Sequence, residues 1–288
     1  MDEMNLERLL DVWLTGGVTD VYGLAMKPWE AALLRSNVGA HFPSLKHQDG
    51  YKPNVKTATD FDALPYRVTD RTQYRILNKV APSHHSDLGT IGGVGCAIAH
   101  LEIWKQAAQR GTGWTVVFEW DCMLDEATAI KEISTITAGR PPEDNVGMIR
   151  MVVLKPVSKQ NKVPGYPAFS RNVPAQCGTQ MYILSNAWAA WYVNRLSVID
   201  IHIDWALNLT GVLGGPEMWF LRRVIGRTSR HESGTSAGIN MKLYLPDGIV
   251  GSNVVCFGVL AFAFVTLVAF VVTLVFCVKY RAASRTVQ

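Results

Sequence analysis

The chain has 288 residues, 48% of them hydrophobic and 18% charged, so it is long enough for one large domain or two small ones and too apolar for a disordered one. Its formal charge of +4 is concentrated at the end, where Lys279, Arg281 and Arg285 occupy a short tail without acids. The remainder is close to neutral, which argues against nucleic acid as a partner.

The N-terminal stretch MDEMNLERLL is acidic and amphipathic, without the basic region and apolar core of a signal peptide. Val18–Leu24 is rich in strand formers and predicts a first strand. Pro28 then opens a helical run, PWEAALLRSNVGAHF, with proline in the first turn, where a missing N–H is tolerated. Pro43 to about Asp70 reads as polar loop. His84, His85 and Asp87 form a metal-like cluster, but adjacent histidines on extended backbone point apart, which argues against zinc. From Gly95 to Arg110, Ile98, Leu101, Ile103, Trp104, Ala107 and Ala108 recur at helical spacing, and Gly111 and Gly113 end the run. An apolar strand at Thr115–Phe118 follows, then a helix from about Glu126 to Ile136 and a second buried strand, VGMIRMVVL, from Val146. Residues 157–174 read as a loop rich in Pro, Lys and Asn. A strand at Gln180–Leu184 leads into a helix through Trp188, Trp191 and Val193. Strands alternating with helices predict an α/β domain with a largely parallel sheet.

From Gly248 to Val278 no residue is charged, and from Val254 nearly every position is apolar. A helix of about 25 residues is roughly 37 Å long, more than a hydrocarbon core of about 30 Å, so the segment reads as a membrane span. The basic tail behind it favours a cytoplasmic tail and a lumenal domain. The absence of an export signal in this sequence favours a cytosolic domain, and the balance leans that way. Asn208-Leu209-Thr210 is a glycosylation sequon that settles neither.

The five cysteines contain no CxxC pair and predict no disulfide framework. Cys256 and Cys277 lie in the apolar run, leaving Cys96, Cys122 and Cys177. Cys96, beside Gly95, reads as a small buried residue without an electropositive partner to activate it.

Open α/β sheets bind ligands beyond the carboxyl ends of their strands, where Glu119 and Asp121 stand. Two carboxylates one residue apart on extended backbone share a side and suit a hard divalent cation. Spacing alone favours a solvated strand end or a cap for the next helix. The surrounding motifs reverse that preference. IGGVGCAIAHLEIWKQAAQ followed by GWTVVFEWDCML resembles the core of glycosyltransferase family 25, which includes lipooligosaccharide and collagen galactosyltransferases. Gly95, Cys96, His100, Leu101 and Trp104 match its helix in order, and Glu119 and Asp121 match the outer acids of its Glu-Asp-Asp. VTDVYGL with its helix, the Gln48-Asp49-Gly50 turn, Gly178-Thr179-Gln180-Met181-Tyr182-Ile183-Leu184-Ser185 and Ile203-Asp204-Trp205-Ala206-Leu207 resemble further elements, over residues 18 to 210. Two positions depart: Trp120 replaces the middle acid, leaving an alternating pair like the Asp-x-Asp of metal-dependent transferases, and Ala99 stands where the family has serine.

The resemblance implies a GT-A-like nucleotide-sugar-binding domain. In it Asp121 is the main metal ligand for Mn²⁺ or Mg²⁺, Glu119 binds metal or the donor's ribose, and His100 contacts the donor phosphates. Asp204 binds the acceptor or serves as base. Read bottom-up, a lone helical histidine such as His100 is more often a buried structural hydrogen-bonder, and Asp204 is equally a cap for the helix near Trp205. Trp188 and Trp191 are core residues or sugar platforms. Arg222, Arg223, Arg227 and Arg230 form a solvated helix face, or bind phosphate or lipid headgroups. The resulting expectation is a domain over residues 1–247, a transmembrane anchor over 248–280 and a basic tail over 281–288. Its predicted function is inverting transfer of a hexose, galactose by the resemblance, from a UDP-hexose type of donor to a glycan or glycoprotein hydroxyl. The alternative is an inactive relative that binds glycans or scaffolds a partner at the lipid bilayer.

Overall fold

In a computed structural model of the protein, the structure describes residues 5–50, 66–67, 75–76, 91–153, 161–171, 178–199, 202–210 and 214–228. The chain divides into two compact units, Met1–Lys79 with Asp87–Ala237, and Val80–Ser86 with Gly238–Gln288. All described residues belong to the first, and the domain boundary expected near 247 lies outside them.

The amphipathic N-terminus forms α1 (Leu6–Trp13), capped by the Asn5 side chain, which accepts from the Glu7 N–H at 2.9 Å. Its buried Leu6, Leu10 and Trp13 stand about one helical turn apart. β1 (Val18–Ala25) leads into α2 (Pro28–Val38), whose Glu30 accepts from the backbone N–H groups of Met26 at 2.7 Å and Lys27 at 3.0 Å. β2 (Lys46–Asp49) follows, then the short β3 (Tyr66–Arg67) and β4 (Arg75–Ile76), then α3 (Ile91–Arg110). β5 (Trp114–Glu119), β6 (Cys122–Leu124), α4 (Glu126–Thr137) and β7 (Val146–Arg150) come next. A hairpin of β8 (Lys162–Val163) and β9 (Tyr166–Arg171) precedes β10 (Met181–Ser185), α5 (Asn186–Arg195) and β11 (Val198–Ile199). α6 (Ile203–Thr210), β12 (Glu217–Leu221) and β13 (Gly226–Thr228) end the described chain.

The main sheet has the order β2-β1-β5-β10-β7-β12-β9-β8. β2, β1 and β5 run parallel, as do β7 and β12, whereas β10 runs antiparallel to both β5 and β7, and β9 to β12. The sheet is therefore mixed, not largely parallel. Alternation along β5 and β10 divides the core. Val116, Phe118, Met181 and Ile183 pack with α1, α2 and α4, while Val117, Tyr182 and Leu184 pack with α3, α5 and α6. Helices thus cover both faces, and Gly23 of β1 permits the close approach of α2: a Cβ there would lie 2.5 Å from Leu34 Cδ2.

Two stretches expected as loop hold strands. β2 carries no apolar pattern, but the exposed edge of β1 templates it, pairing Tyr22 with Lys46 through Ala25 with Asp49. β8 and β9 turn at Pro164-Gly165, with Gly165 at φ +78°. The four arginines were expected on a helix face, yet those that are described follow β12 or sit in β13. Arg222 donates to the Pro167 carbonyl at 2.9 Å and Arg223 pairs with Glu132; Arg230 lies outside the described residues.

The membrane expectation is corrected. No helix among the described residues is long and apolar enough to cross a membrane. α3 has the length, 20 residues, but carries Glu102, Lys105 and Arg110. Residues 248–280, which carried the expectation of a single-pass anchor, a membrane location and a bilayer partner, lie outside the described residues.

Candidate active site

β5 delivers Glu119 to the carboxyl edge of the sheet, on the face that α3 covers. Its Oε1 accepts from the Thr179 hydroxyl and meets His100 Nε2 at 3.1 Å. His100 is fully buried, and its Nδ1 lies 2.7 Å from the Tyr182 hydroxyl, whose oxygen accepts from Trp104 Nε1 at 2.8 Å. A continuous chain of hydrogen bonds thus runs from the core of α3 and β10 to the Glu119 carboxylate. Cys96, one helical turn before His100, has its Sγ 4.0 Å from the same Glu119 oxygen. The ligand atoms of Cys96, His100 and Glu119 lie within 4.8 Å of one another, a spacing that one cation can span.

The backbone does not continue extended past Glu119. Trp120 and Asp121 form a turn between β5 and β6, and Trp120 packs edge-on against Trp29 of α2, with centroids 5.2 Å apart. Asp121 is buried, and its Oδ1 has no hydrogen-bond partner among the described residues. Burial, then the charges of Glu119 and Glu30, push its carboxyl up to about 7, against a bond from its own N–H. An orphaned buried carboxylate oxygen beside a second carboxylate fits a hard divalent cation, which would cancel the repulsion and supply the missing partner.

Asp204, in the first turn of α6, belongs to the same electrostatic cluster. Burial, then Glu119, Asp204 and Asp121 in that order, raise the Cys96 thiol well above its ordinary value. Asp204 Oδ2 accepts from the Gly178 N–H at 2.9 Å and Oδ1 meets His202 Nδ1. Burial alone would raise Asp204. The bond and charge of His202, the Gly178 N–H and the Arg150 charge overcome it and hold the carboxyl below the usual range.

The sequence-predicted Glu119, Asp121, His100 and Asp204 therefore converge, while His84, His85 and Asp87 lie outside the described residues. Trp188 donates to the Asp144 carbonyl at 2.8 Å, and Trp191 packs edge-on against Tyr192 at 5.2 Å, both partly buried against the core. Sequence reasoning missed His202, Thr179 and Arg150. His202 stands two positions before Asp204, and Arg150 is a single charge inside the apolar run VGMIRMVVL. Arg150 is 1% exposed, lies 5.3 Å over Phe220 and donates to the Asn208 side chain at 3.2 Å.

A mixed α/β sheet with carboxylates beyond its strand ends has the architecture in which open sheets bind ligands. The family model described as glycosyltransferase family 25 (LPS biosynthesis protein) matches residues 57–207, just over half of the chain, and the chain belongs to that family. The match takes in Cys96, His100, Glu119, Asp121 and Asp204. The lacto-N-neotetraose biosynthesis glycosyltransferase LgtE of Neisseria gonorrhoeae is 28% identical over 111 residues, 36% of this chain and 39% of that protein. The chain thus spans about two fifths of the length of this curated relative. The crystal structure of a glycosyltransferase involved in glycosylation of the major capsid of PBCV-1 shares 10% identity at a TM-score of 0.31, over 62% of this chain and 65% of that one. A likeness that slight carries no argument.

Proposed function

We propose that the chain is a glycosyltransferase with a GT-A-like domain, transferring a hexose from a nucleoside-diphosphate sugar to a hydroxyl of a glycan or glycoprotein with inversion. Family membership supports the reaction class, and galactose, carried by a UDP-type donor, is the hexose that the family resemblance favours. One observation carries the placement of the chemistry: the unpartnered Asp121 Oδ1, buried beside Glu119 in a cluster that includes Asp204. A Mn²⁺ or Mg²⁺ ion held by these two carboxylates would offset the charge that develops on the leaving diphosphate. His100, with no exposed surface, acts through Glu119, fixing that carboxylate toward the donor. Asp204, held ionised, is a weak proton acceptor by itself. The His202–Asp204 pair places an imidazole against a carboxylate that orients it. We assign binding and deprotonation of the acceptor hydroxyl to that pair.

A second reading, an inactive relative that binds glycans or scaffolds a partner, draws on Trp120. It stands at the middle acid position and is turned toward Trp29. Nucleotide release from a panel of donor sugars separates the two readings, using the full chain with Mn²⁺, with chelator, and as Asp121→Ala. Release that needs metal and vanishes in the variant supports transfer. Folded protein that neither binds nor turns over any donor overturns it.

A further inference from the structure

We infer that Cys96, His100 and Glu119 form a second cation site, one that takes a thiophilic divalent ion of the zinc class. Cys96 and His100 project from one face of α3 at i and i+4, and β5 brings Glu119 against that face. Their sulfur, nitrogen and oxygen atoms lie within 4.8 Å of one another. Tetrahedral zinc with ligands at about 2.0–2.3 Å holds them roughly 3.5 Å apart, so modest contraction seats all three and leaves a fourth position for water. A mixed sulfur, imidazole and carboxylate set suits zinc and disfavours Mg²⁺ or Mn²⁺.

The surroundings supply what such a site needs. Nε2 of His100, 3.1 Å from Glu119, would bind the metal, and the ring proton would then reside on Nδ1. That nitrogen faces the Tyr182 oxygen at 2.7 Å, and a phenolic oxygen has two lone pairs. It can accept from Nδ1–H as well as from the Trp104 N–H at 2.8 Å. An outer acceptor of this kind fixes the tautomer of a ligating histidine. The Cys96 thiol gives its proton to solvent, and thiolate and carboxylate together offset the double charge of the ion. The Thr179 hydroxyl continues to hold Glu119.

A zinc ion on Glu119 Oε1, the oxygen that faces Cys96 and His100, takes charge and one donor atom away from the Glu119–Asp121 pair. Zinc therefore inhibits donor turnover, a consequence that rests on the proposed function, whereas zinc binding does not.

Cobalt(II) is the probe, added to the full-length protein in reduced, metal-free form. Expected are one bound equivalent, a thiolate-to-metal charge-transfer band in the near ultraviolet and intense tetrahedral visible bands, all displaced by zinc. Cys96→Ala abolishes the thiolate band, whereas Cys122→Ala, Cys177→Ala, His84→Ala and His85→Ala retain it. Tyr182→Phe weakens binding by about 10- to 100-fold. No thiolate band on folded wild-type protein, or a band surviving Cys96→Ala, overturns the site. The Cys96→Ala protein is checked by its metal-free unfolding transition. Zinc inhibition is then measured against each protein's own zinc-free rate: the wild type is inhibited and Cys96→Ala is not. Cobalt bands without any donor turnover would leave the zinc site standing and sink the transferase reading. Turnover without bands would do the reverse.

Discussion

The hydroxyl oxygen of Tyr182 stands between two side chains of α3, 2.7 Å from His100 Nδ1 and 2.8 Å from Trp104 Nε1. All three side chains are buried without solvent contact. Burial pushes the Tyr182 phenol well above its ordinary value, so it remains a neutral hydroxyl over any working pH. Tyr182→Phe keeps the ring and removes the oxygen, leaving the Trp104 N–H and His100 Nδ1 without that partner. An unsatisfied buried group costs about 1–3 kcal/mol. The variant is expected to lose at least about 2 kcal/mol in urea denaturation and, with His100 no longer anchored, to bind donor more weakly. An unchanged urea midpoint would show that the hydroxyl is not holding the two rings.

Gly178 links β10 to α6 through its N–H, 2.9 Å from Asp204 Oδ2. Its φ of +93° lies where a side chain is strained. A Cβ would also lie 2.1 Å from the end of the Gln180 side chain, which can move aside. Gly178→Ala is therefore expected to cost about 1 kcal/mol or more through the backbone. It should also loosen Asp204, so turnover falls further than stability alone explains. Thermal unfolding and donor turnover measured on one sample separate the two effects, and full turnover in a destabilised variant would detach Asp204 from the reaction.

A control for the scaffold lies at the other end of the same sheet. The buried Asn186 side chain donates to the Thr19 hydroxyl and the Thr112 carbonyl, both at 2.8 Å, and accepts from the Thr115 hydroxyl at 2.7 Å. Asn186→Ala removes all three bonds inside the core and is expected to cost about 2–4 kcal/mol. Metal affinity per folded molecule should not change, since Thr115 opens β5 and Glu119 closes it. A metal affinity that drops with the scaffold would mean that the carboxylate geometry depends on the whole strand.

What the sequence made legible follows from how each part is stabilised. β5 was readable because Trp114, Val116, Val117 and Phe118 are all buried, giving an apolar run. Glu119 and Asp121 could be placed because a charged residue directly after such a run must sit at the strand end. β2 was not readable, since its four polar residues owe their conformation to the edge of β1 and not to their own pattern. The Trp104–Tyr182–His100 chain was hidden for a similar reason, as β10 and α3 lie 78 residues apart along that contact. A turn, and not the extended backbone that the spacing suggests, brings Asp121 into the field of Glu119.

The carboxyls of Asp121 and Asp204 are shifted in opposite directions from their ordinary value, and that difference gives a pH test. Asp121, raised from 3.8 to about 7 by burial and by Glu119 and Glu30, keeps its proton in the folded state over a range where the unfolded chain has lost it. The folded state then binds more protons, so metal-free stability falls as pH rises from about 4 to about 7 and levels off above. Asp204 is held below its ordinary value by His202, Gly178 and Arg150 against the pull of burial. Its contribution is fully present above about 4 and is lost only as pH falls well below that. Asp121→Asn cannot ionise and should flatten the decline between pH 4 and 7 while leaving the acid limb in place. Mn²⁺ should restore stability to the wild type at pH 8 far more than at pH 5, because at pH 5 the ion must displace the Asp121 proton. Urea midpoints across pH, with and without Mn²⁺, read all of these effects. A wild-type decline that survives Asp121→Asn would assign the titration to another carboxylate and remove the main support for a cation at Asp121.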